Sequence, residues 1–437
     1  MTSEKVSIQK NPSLDLFFFL IVYFCVQDFV GALLYTNFNL PKVFFYFHLF
    51  FGEIILFSLF CICIIRTGFK VYKGLFSLII SSILVMVYYF AISSNRFSFG
   101  TLMDLRCLLL PVVLVYLACH LIDTEQKRRK FFCFFIFLSF GLALFGIFET
   151  LFIPSKFWFN YANMSLYLNQ IKGYYADYPQ LGISGAAMGR VGYGQFFPRR
   201  LTSTFGDPFG YAIGISVSII IFLHLSLRKR KIHYILGCLV TYLALLLTFT
   251  RSGYILFAVV FFIFWLLVLN EKQKIFSMFL SMLFFPFIYN FLGHFILITR
   301  NELQTNSAHS RDFISFYTSV IQSGEYWIGM GVGQVGNVES GYTYLMTQLG
   351  IWGLILFLVF IFSCIRIIYR KAKQKEKSSE FVSLKCINVI ALGILIATLI
   401  LMNFYSYPFG LTTYMINWII VGIALRIPET QYNILSR

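Results

Sequence analysis

The chain has 437 residues, of which 59% are hydrophobic and only 12% charged. This composition excludes an ordinary soluble globular domain. Apolar runs of about 20 residues recur along the chain, a length typical of membrane-spanning helices and too long for barrel strands. We therefore predict an all-α polytopic membrane protein that forms a single integral membrane domain over residues 1–437.

Candidate spans follow one another from near the start of the chain almost to its end. They predict about 12 transmembrane helices. The spans are residues 14–35, 43–65, 75–93, 106–122, 131–152, 208–227, 232–250, 253–270, 275–298, 341–369, 382–403 and 410–426.

Basic residues cluster in five places between these spans, and counting the spans puts all five on one side. The formal net charge of +17 is thus explained by the positive-inside rule, and no nucleic-acid partner is expected. Both termini are predicted to be cytoplasmic. The clusters are Arg66/Lys70/Lys73, Lys127/Arg128/Arg129/Lys130, Arg228/Lys229/Arg230/Lys231, Lys272/Lys274 and Arg370/Lys371/Lys373/Lys375/Lys377.

Two long connections lie on the other, extracytoplasmic side, at 153–207 and 299–339. Long loops in a compact protein are usually functional or disordered. The first is rich in glycine and tyrosine, including Tyr174 and Tyr175, which suits stacking on sugar rings but also an interfacial aromatic belt. The second contains apolar residues at helical spacing, which predicts a short amphipathic helix.

Three arginines lie on the extracytoplasmic side, where the positive-inside rule disfavours them: two beside the ends of spans, and one at the start of the predicted amphipathic helix. They are Arg200, which follows Arg199, then Arg251 and Arg311. A lone arginine at an interface often only reaches for lipid headgroups. Three on one face favour a phosphate site, because guanidinium binds phosphate oxygens in a bidentate way. We expect an anionic head such as a diphosphate.

Glu339 precedes the tenth span on the same side and is a candidate general base toward a hydroxyl. The simpler alternative is an acid favoured by the helix dipole. Further candidate substrate contacts flank these residues in the sequence: His309, Ser252, Ser340 and Tyr342. The nine cysteines and the few loop carboxylates show no metal-ligand spacing, so we expect metal-independent chemistry without a cofactor.

Three motifs carry a family resemblance: RLTSTFGDP at 200–208, TRSGY at 250–254, and the run from Arg311 through GMGVG to ESGYTYLMTQLGIWG at 339–353. The chain resembles the O-antigen ligase and O-antigen polymerase (Wzy-type) superfamily. Ligases carry a His before a small polar residue, nine residues and G-x-x-G. Ser340, Gly350 and Gly353 reproduce this spacing, but Glu339 takes the place of the His, which favours a polymerase.

The resemblance implies a GT-C-like fold in the bacterial inner membrane and polymerisation of O-antigen or capsular repeat units. The substrate would be an undecaprenyl-diphosphate-linked oligosaccharide embedded among membrane lipids, and a chain-length regulator protein is compatible as a partner. Arg200, Arg251 and Arg311 would hold the diphosphate, and Glu339 would activate the acceptor hydroxyl.

Two alternatives remain open. One is a ligase-type transferase that uses another acceptor. The other is a flippase or secondary transporter, supported by ionisable residues inside predicted spans, which default to functional hypotheses. These residues are scattered along the sequence: Asp28, His48, Glu53 and His120.

Overall fold

The computed structural model describes most of the helical part of the chain. It covers residues 12–38, 40–67, 99–153, 161–163, 166–167, 170–171, 201–205, 208–275, 327, 341–374, 380–402 and 414–426, without the side chains of 67, 99–107 and 251. Within these ranges every regular element is helical and no strand occurs. The predicted all-α class is therefore confirmed for this part of the chain.

Ten helices longer than ten residues make up the described structure. In chain order they are α1 (Pro12–Asn37), α2 (Lys42–Thr67), α3 (Phe99–Leu121), α4 (Glu125–Phe152), α5 (Pro208–Lys229), α6 (Ile232–Leu247), α7 (Arg251–Leu267), α8 (Gly341–Ala372), α9 (Leu384–Leu401) and α10 (Met415–Arg426). A 3-10 turn at Ser203–Phe205 precedes α5.

Six of these helices are long and apolar enough to cross a membrane, and four shorter apolar helical stretches accompany them in the described residues. Each of ten predicted spans coincides with one helix. The other two predicted spans, 75–93 and 275–298, lie outside the described ranges apart from residue 275, so about 12 spans stays a prediction. The polytopic membrane character is confirmed.

The predicted bounds are wrong at two helix starts. The predicted span 106–122 corresponds to α3, which already begins at Phe99, and the predicted span 131–152 corresponds to α4, which begins at Glu125. Both errors arise because span prediction follows hydropathy, whereas a helix continues through charged residues. The hydroxyl of Thr124 accepts a hydrogen bond from Lys127 N and so caps the start of α4. The basic cluster at 127–130 therefore belongs to the first turns of this helix.

The basic residues of the described helices meet at one end of the bundle, which we name the basic end. Arg128 at the start of α4 and Arg228 at the end of α5 both bond Glu380, just before α9. Lys371 at the end of α8 donates to the carbonyl of Leu425 at the end of α10 (2.7 Å). The prediction that the basic clusters share one side is thus consistent with how these helices pack.

We name the other end of the bundle, away from these contacts, the opposite end. Thr250 Oγ1, just before α7, donates to Pro208 O at the start of α5 (3.4 Å), and Ser216 of α5 donates to Gly253 O of α7 (2.9 Å). The contacts advance along both helices in the same direction, so α5 and α7 run in parallel and begin at this end.

Gly393 of α9 packs against Val260 of α7 with no room for a Cβ. Ser383 N, just before α9, donates to His224 Nε2 near the end of α5 (3.4 Å), so α9 runs antiparallel to α5 and α7. The end of α9 therefore comes close to the start of α7.

A buried ion pair ties the basic end together. Arg128 Nη2 lies 2.6 Å from Glu380 Oε1 and Arg128 Nε lies 3.2 Å from Glu380 Oε2, and both side chains are almost fully buried. The backbone carbonyl of Glu380 also accepts from Arg228 (2.7 Å). The pair joins the start of α4 to the segment that leads into α9.

Replacing Glu380 by Gln should destabilise the protein strongly, because removal of one partner leaves the other charge buried, which costs about 3–5 kcal/mol. Thermal unfolding in detergent should show a clear fall in Tm. Glu271→Gln is the matched control, since Glu271 is 86% exposed although it bonds Lys274 at 2.9 Å. An exposed pair of this kind contributes about 1 kcal/mol or less. Equal shifts in Tm for the two variants would contradict the structural role of the buried pair.

Candidate functional site

Residues 201–205, which follow Arg200 in the sequence, lie inside the helical bundle. Leu201 N donates to Leu247 O at the end of α6 (2.9 Å). Ser203 Oγ donates to Leu142 O of α4 (2.9 Å), and Thr204 Oγ1 donates to Cys25 O of α1 (2.6 Å). The segment is buried and held by three different helices.

The turn between α6 and α7 completes a buried layer rich in hydroxyl groups. Thr248 and Thr250 are fully buried, and Thr250 Oγ1 donates to the carbonyl of Thr248 (3.0 Å). We name residues 201–205, 248–250 and 252 together the polar layer. It lies at the opposite end of the bundle, directly before Arg251.

The polar layer lies deeper than the ends of the neighbouring helices. The helices α6 and α7 have 16 and 17 residues, which gives roughly 24–26 Å at 1.5 Å per residue, less than the ~30 Å of a hydrocarbon core. By contrast, α4 has 28 residues. Gly146 of α4 packs against Leu201 and Ser203, and α4 continues for six residues beyond Gly146 to Phe152, so the polar layer lies below the end of α4.

Backbone strain is concentrated in the polar layer. Among the described non-glycine residues, positive φ occurs at Ser203 (52°), Phe249 (47°) and Arg230 (52°), and the first two lie in the layer. Non-glycine residues adopt this conformation rarely, and such outliers cluster at functional sites. The strain is held in place by the hydrogen bonds of residues 201–205.

Two helices begin side by side at the polar layer, and their N-terminal ends contribute partial positive charge to it. A Cβ on Gly253 of α7 would lie 2.5 Å from Ala212 Cβ of α5, so the first turns of these helices touch. The N-terminal end of a helix carries partial positive charge and unpaired N–H groups, which favour anions. Ser252 Oγ and Tyr211 Oη are buried there and have no hydrogen-bond partner among the described residues.

The other residues of the TRSGY motif have structural roles in this region. Gly253 allows the close contact with α5, and Tyr254 Oη donates to Leu246 O (2.7 Å), which braces the turn. Arg251 is the first residue of α7, and its side chain lies outside the described part of the structure. Packing thus accounts for the glycine and the tyrosine of the motif.

The start of α8 is fixed to the end of α9. Gly341 N donates to Met402 O (2.9 Å), and Tyr342 Oη donates to Leu399 O (2.8 Å). Because α9 packs antiparallel on α7, the residues that follow Glu339 and Ser340 in the chain come to the same end of the bundle as the start of α7.

A kink at Gly350 divides α8, which the sequence predicts as one continuous span. Gly350 has φ 67° and ψ −171°, a conformation open to glycine alone. A Cβ at Gly353 would lie 2.2 Å from Leu349 Cβ, so this glycine is also needed for packing. The G-x-x-G spacing seen in the sequence therefore marks a backbone break, after which α8 continues to the basic end.

Three of the eleven predicted site residues lie in the described part of the structure. Ser252 is buried in the polar layer, Tyr342 anchors α8 on α9, and Arg251 opens α7. The other predicted contacts lie outside the described residues: Arg199, Arg200, Tyr174, Tyr175, His309, Arg311, Glu339 and Ser340.

Glu149 is an acidic residue at this end that the sequence interpretation missed. It is 1% exposed, and Thr150 Oγ1 lies 3.4 Å from its Oε2. It follows by three residues Gly146, which packs against Leu201 and Ser203, so it lies on the face of α4 that holds the polar layer. The sequence contains a sign that Glu149 is unusual, because the helix dipole disfavours an acidic residue in the last turn of a helix.

The structure brings together three ionisable residues that are scattered in the sequence. His48 of α2 contacts α1 through Tyr23 Oη at its Nδ1 (3.0 Å), and its Nε2 lies 3.1 Å from Gln27 O. Asp28 lies next to Gln27, and Glu53 is buried one turn beyond Leu49, whose carbonyl accepts from Gln27 (2.7 Å). His120 lies elsewhere, near the basic end.

No group of three or more His, Cys, Asp or Glu side chains among the described residues could hold a metal ion. No protein-family model matches the sequence, and no match was found among curated proteins.

The position of residues 201–205 can be tested with a matched pair of glycine variants. A Cβ at Gly146 would lie 2.7 Å from Leu201 Cδ2, whereas one at Gly141 meets nothing within 4 Å. Overpacking costs about 1–3 kcal/mol, so Gly146→Ala should speed amide hydrogen exchange of residues 201–205 by roughly 5- to 150-fold. Gly141→Ala should leave it unchanged. The same exchange rate in both variants would mean that this segment does not pack on α4.

Proposed function

We propose that this protein is a metal-independent polysaccharide polymerase. It transfers a growing glycan from undecaprenyl diphosphate to the terminal hydroxyl of the next lipid-linked repeat unit, on the extracytoplasmic face of a bacterial inner membrane. The basic end then faces the cytoplasm with both termini, and the polar layer faces outward. The proposed fold type is GT-C-like.

The observation that carries the proposal is the construction of the polar layer. Two helix N-termini meet there beside buried hydroxyl groups, and Arg251 is the first residue of one of them. Such an arrangement favours an anion, and a preorganised set of donors stabilises charge that develops on a leaving group. A lipid diphosphate matches this chemistry, and its polyprenyl chain can remain in the bilayer.

The proposed reaction needs two further residue types, both of which the family resemblance supplies in the sequence. Arg200 and Arg311 join Arg251 in neutralising the departing diphosphate, and Glu339 takes the proton from the acceptor hydroxyl as the new glycosidic bond forms. Hydrogen bonds attach the residues after Arg200 and after Ser340 to the opposite end of the bundle, which supports a common site.

A polymerisation assay tests this proposal. Purified protein is incubated with a synthetic lipid-diphosphate-linked oligosaccharide, and the products are resolved by size. Wild type should give a ladder, whereas Glu339→Ala and Arg251→Ala should lose it, since loss of one preorganised group costs about 10²–10³ in rate. Matched controls are Arg230→Ala and Glu271→Ala, which remove exposed charges at the basic end and should retain the ladder.

Other product patterns would contradict the polymerase and identify the alternatives. In cells, a ligase-type enzyme carrying Glu339→Ala would leave full-length chains beside uncapped acceptors. A flippase carrying the same change would leave repeat units trapped on the cytoplasmic leaflet. The polymerase variant instead accumulates single repeat units on the outer face.

Metal removal provides a separate prediction. Because arginines replace a divalent ion in neutralising the diphosphate, EDTA should leave the ladder of wild type unchanged. The measurement is the rate of chain extension with and without chelator. If activity disappears with EDTA and returns with a divalent ion, the metal-independent mechanism is wrong.

A second candidate function is proton-coupled transport of the lipid-linked oligosaccharide. The observation that favours it is the gathering of Asp28, His48 and Glu53 between α1 and α2. Ionisable residues inside a helical bundle often mark proton pathways. Movement of a fluorescent lipid-linked oligosaccharide across proteoliposomes, driven by a pH gradient, would favour this function over polymerisation.

A further inference from the structure

The helices α4 and α6 lie side by side and run in parallel from the basic end. Near that end, Cys133 of α4 lies beside Tyr234 of α6. At the opposite end, Gly146 of α4 and Leu247 of α6 both contact Leu201. Cys133 and Gly146 are 13 residues apart, and so are Tyr234 and Leu247. The two helices therefore stay level with each other over this length.

This alignment brings two of the basic clusters together. Lys130 on α4 is three residues before Cys133, and Lys231, just before α6, is three residues before Tyr234, so the two lysines lie at the same height on neighbouring helices. Arg129 is four residues before Cys133 and interacts electrostatically with it, which puts Arg129 on the face of α4 that meets α6. All three cationic side chains are exposed. We name Arg129, Lys130 and Lys231 the basic patch.

The protein supplies partners to other cations of the same two clusters. Arg128 forms the buried ion pair with Glu380, whose backbone carbonyl accepts from Arg228. Lys127 Nζ lies 2.7 Å from Asp123 Oδ1. Within the described ranges, by contrast, no side chain forms an ion pair or a hydrogen bond with the side chains of the basic patch.

Like charges held at the same height on adjacent helices repel each other, and an external anion relieves this repulsion. Glu125 is one turn before Arg129 on α4, but it is exposed and forms no ion pair in the described part of the chain. The basic patch therefore keeps a net positive charge that is open to a ligand.

An apolar surface continues from the basic patch along both helices. Two of its residues follow Lys130 by seven and fourteen positions, and two follow Lys231 by four and eight, which are helical spacings. These side chains are between 43% and 77% exposed: Phe137, Leu144, Ile235 and Leu239. In a polytopic membrane protein such a surface faces hydrocarbon. A molecule that matches both parts has an anionic head and apolar chains.

We propose that the basic patch and the apolar surface next to it bind an anionic phospholipid of the surrounding bilayer. The phosphate group of the lipid lies between α4 and α6, where Arg129, Lys130 and Lys231 neutralise it, and the acyl chains lie along the apolar surface. Charged donors of this kind bind phosphate oxygens strongly, and basic pockets between membrane helices suit anionic headgroups. The site shares no residue with the polar layer, so it goes beyond the proposed transferase function.

The apolar surface is the reason for choosing a lipid rather than a soluble anion. Free phosphate would meet only the exposed cations, whose attraction is screened by salt. A phospholipid adds contact between its acyl chains and the exposed side chains of α4 and α6. The bilayer also holds its headgroup at the level where the apolar surface gives way to the basic patch.

Lipid binding to the purified, delipidated full-length protein tests the proposal. Native mass spectrometry measures the affinity for phosphatidylglycerol and, in parallel, for zwitterionic phosphatidylcholine. Wild type should bind phosphatidylglycerol more tightly. The double variant Lys130→Gln/Lys231→Gln should bind it roughly 30-fold more weakly, because each cation near the headgroup contributes about fivefold.

The matched control is the double variant Lys272→Gln/Arg370→Gln. It removes the same number of charges from exposed positions at the basic end, after α7 and near the end of α8, away from the basic patch. Its affinity for phosphatidylglycerol should equal that of wild type. Helix content and Tm establish that both double variants are folded.

An equal loss of affinity in the two double variants would mean that overall positive charge attracts the lipid, and it would overturn the proposal. Equal affinity of wild type for the two lipids would do the same. Displacement of the lipid by an equal concentration of inorganic phosphate would identify a site for a soluble anion instead. Because binding is measured without a glycan substrate, failure of the polymerisation assay does not affect this result, and loss of lipid binding leaves the proposed function intact.

Discussion

A non-helical segment can lie inside an apolar helical bundle only if its polar groups find partners there, because the bilayer offers none. Residues 201–205 meet this condition through bonds from Leu201, Ser203 and Thr204 to three different helices. Together the three bonds require α6, α4 and α1 to lie in fixed positions around the segment. The arrangement of the opposite end therefore depends on these few hydrogen bonds.

The same bonds shape the chemistry available at that end. The bond from Leu201 N to Leu247 O holds the segment beside the strained turn before Arg251, and the bond from Ser216 to Gly253 O joins α5 to α7 next to it. The layer packs against Gly146 of α4, six residues before that helix ends at Phe152, so its hydroxyl groups lie inside the bundle, where electrostatic interactions are stronger than in water. A charged headgroup drawn into such a layer meets donors that need no reorganisation.

The sequence predicts the parts of this structure that follow from length and hydropathy. Ten spans coincide with helices, and the clustering of basic residues agrees with the basic end. Helix starts within charged stretches are missed at α3 and α4, since hydropathy does not report capping by residues such as Thr124. The kink at Gly350 is missed as well, because one glycine in an apolar run has no distinctive pattern.

The site is less predictable because its contacts join distant parts of the chain. Nothing in the motif at 200–208 shows that Ser203 and Thr204 bond helices α4 and α1, or that Glu149 lies beside them. The meeting of His48 and Glu53 with α1 could have been inferred from the short connection between α1 and α2, which favours antiparallel packing. Eight predicted site residues, Glu339 among them, remain predictions of the sequence.

The central claim is that the basic end faces the cytoplasm and the polar layer faces outward, and labelling of single cysteines in intact cells tests it most directly. In a background without the nine native cysteines, exposed positions are chosen at each end: Val43 and Phe152 at the opposite end, Arg230 and Glu271 at the basic end. A membrane-impermeant maleimide should label the first pair in intact cells and the second pair only after permeabilisation. The reverse pattern would put the polar layer in the cytoplasm and contradict an extracytoplasmic glycan transferase.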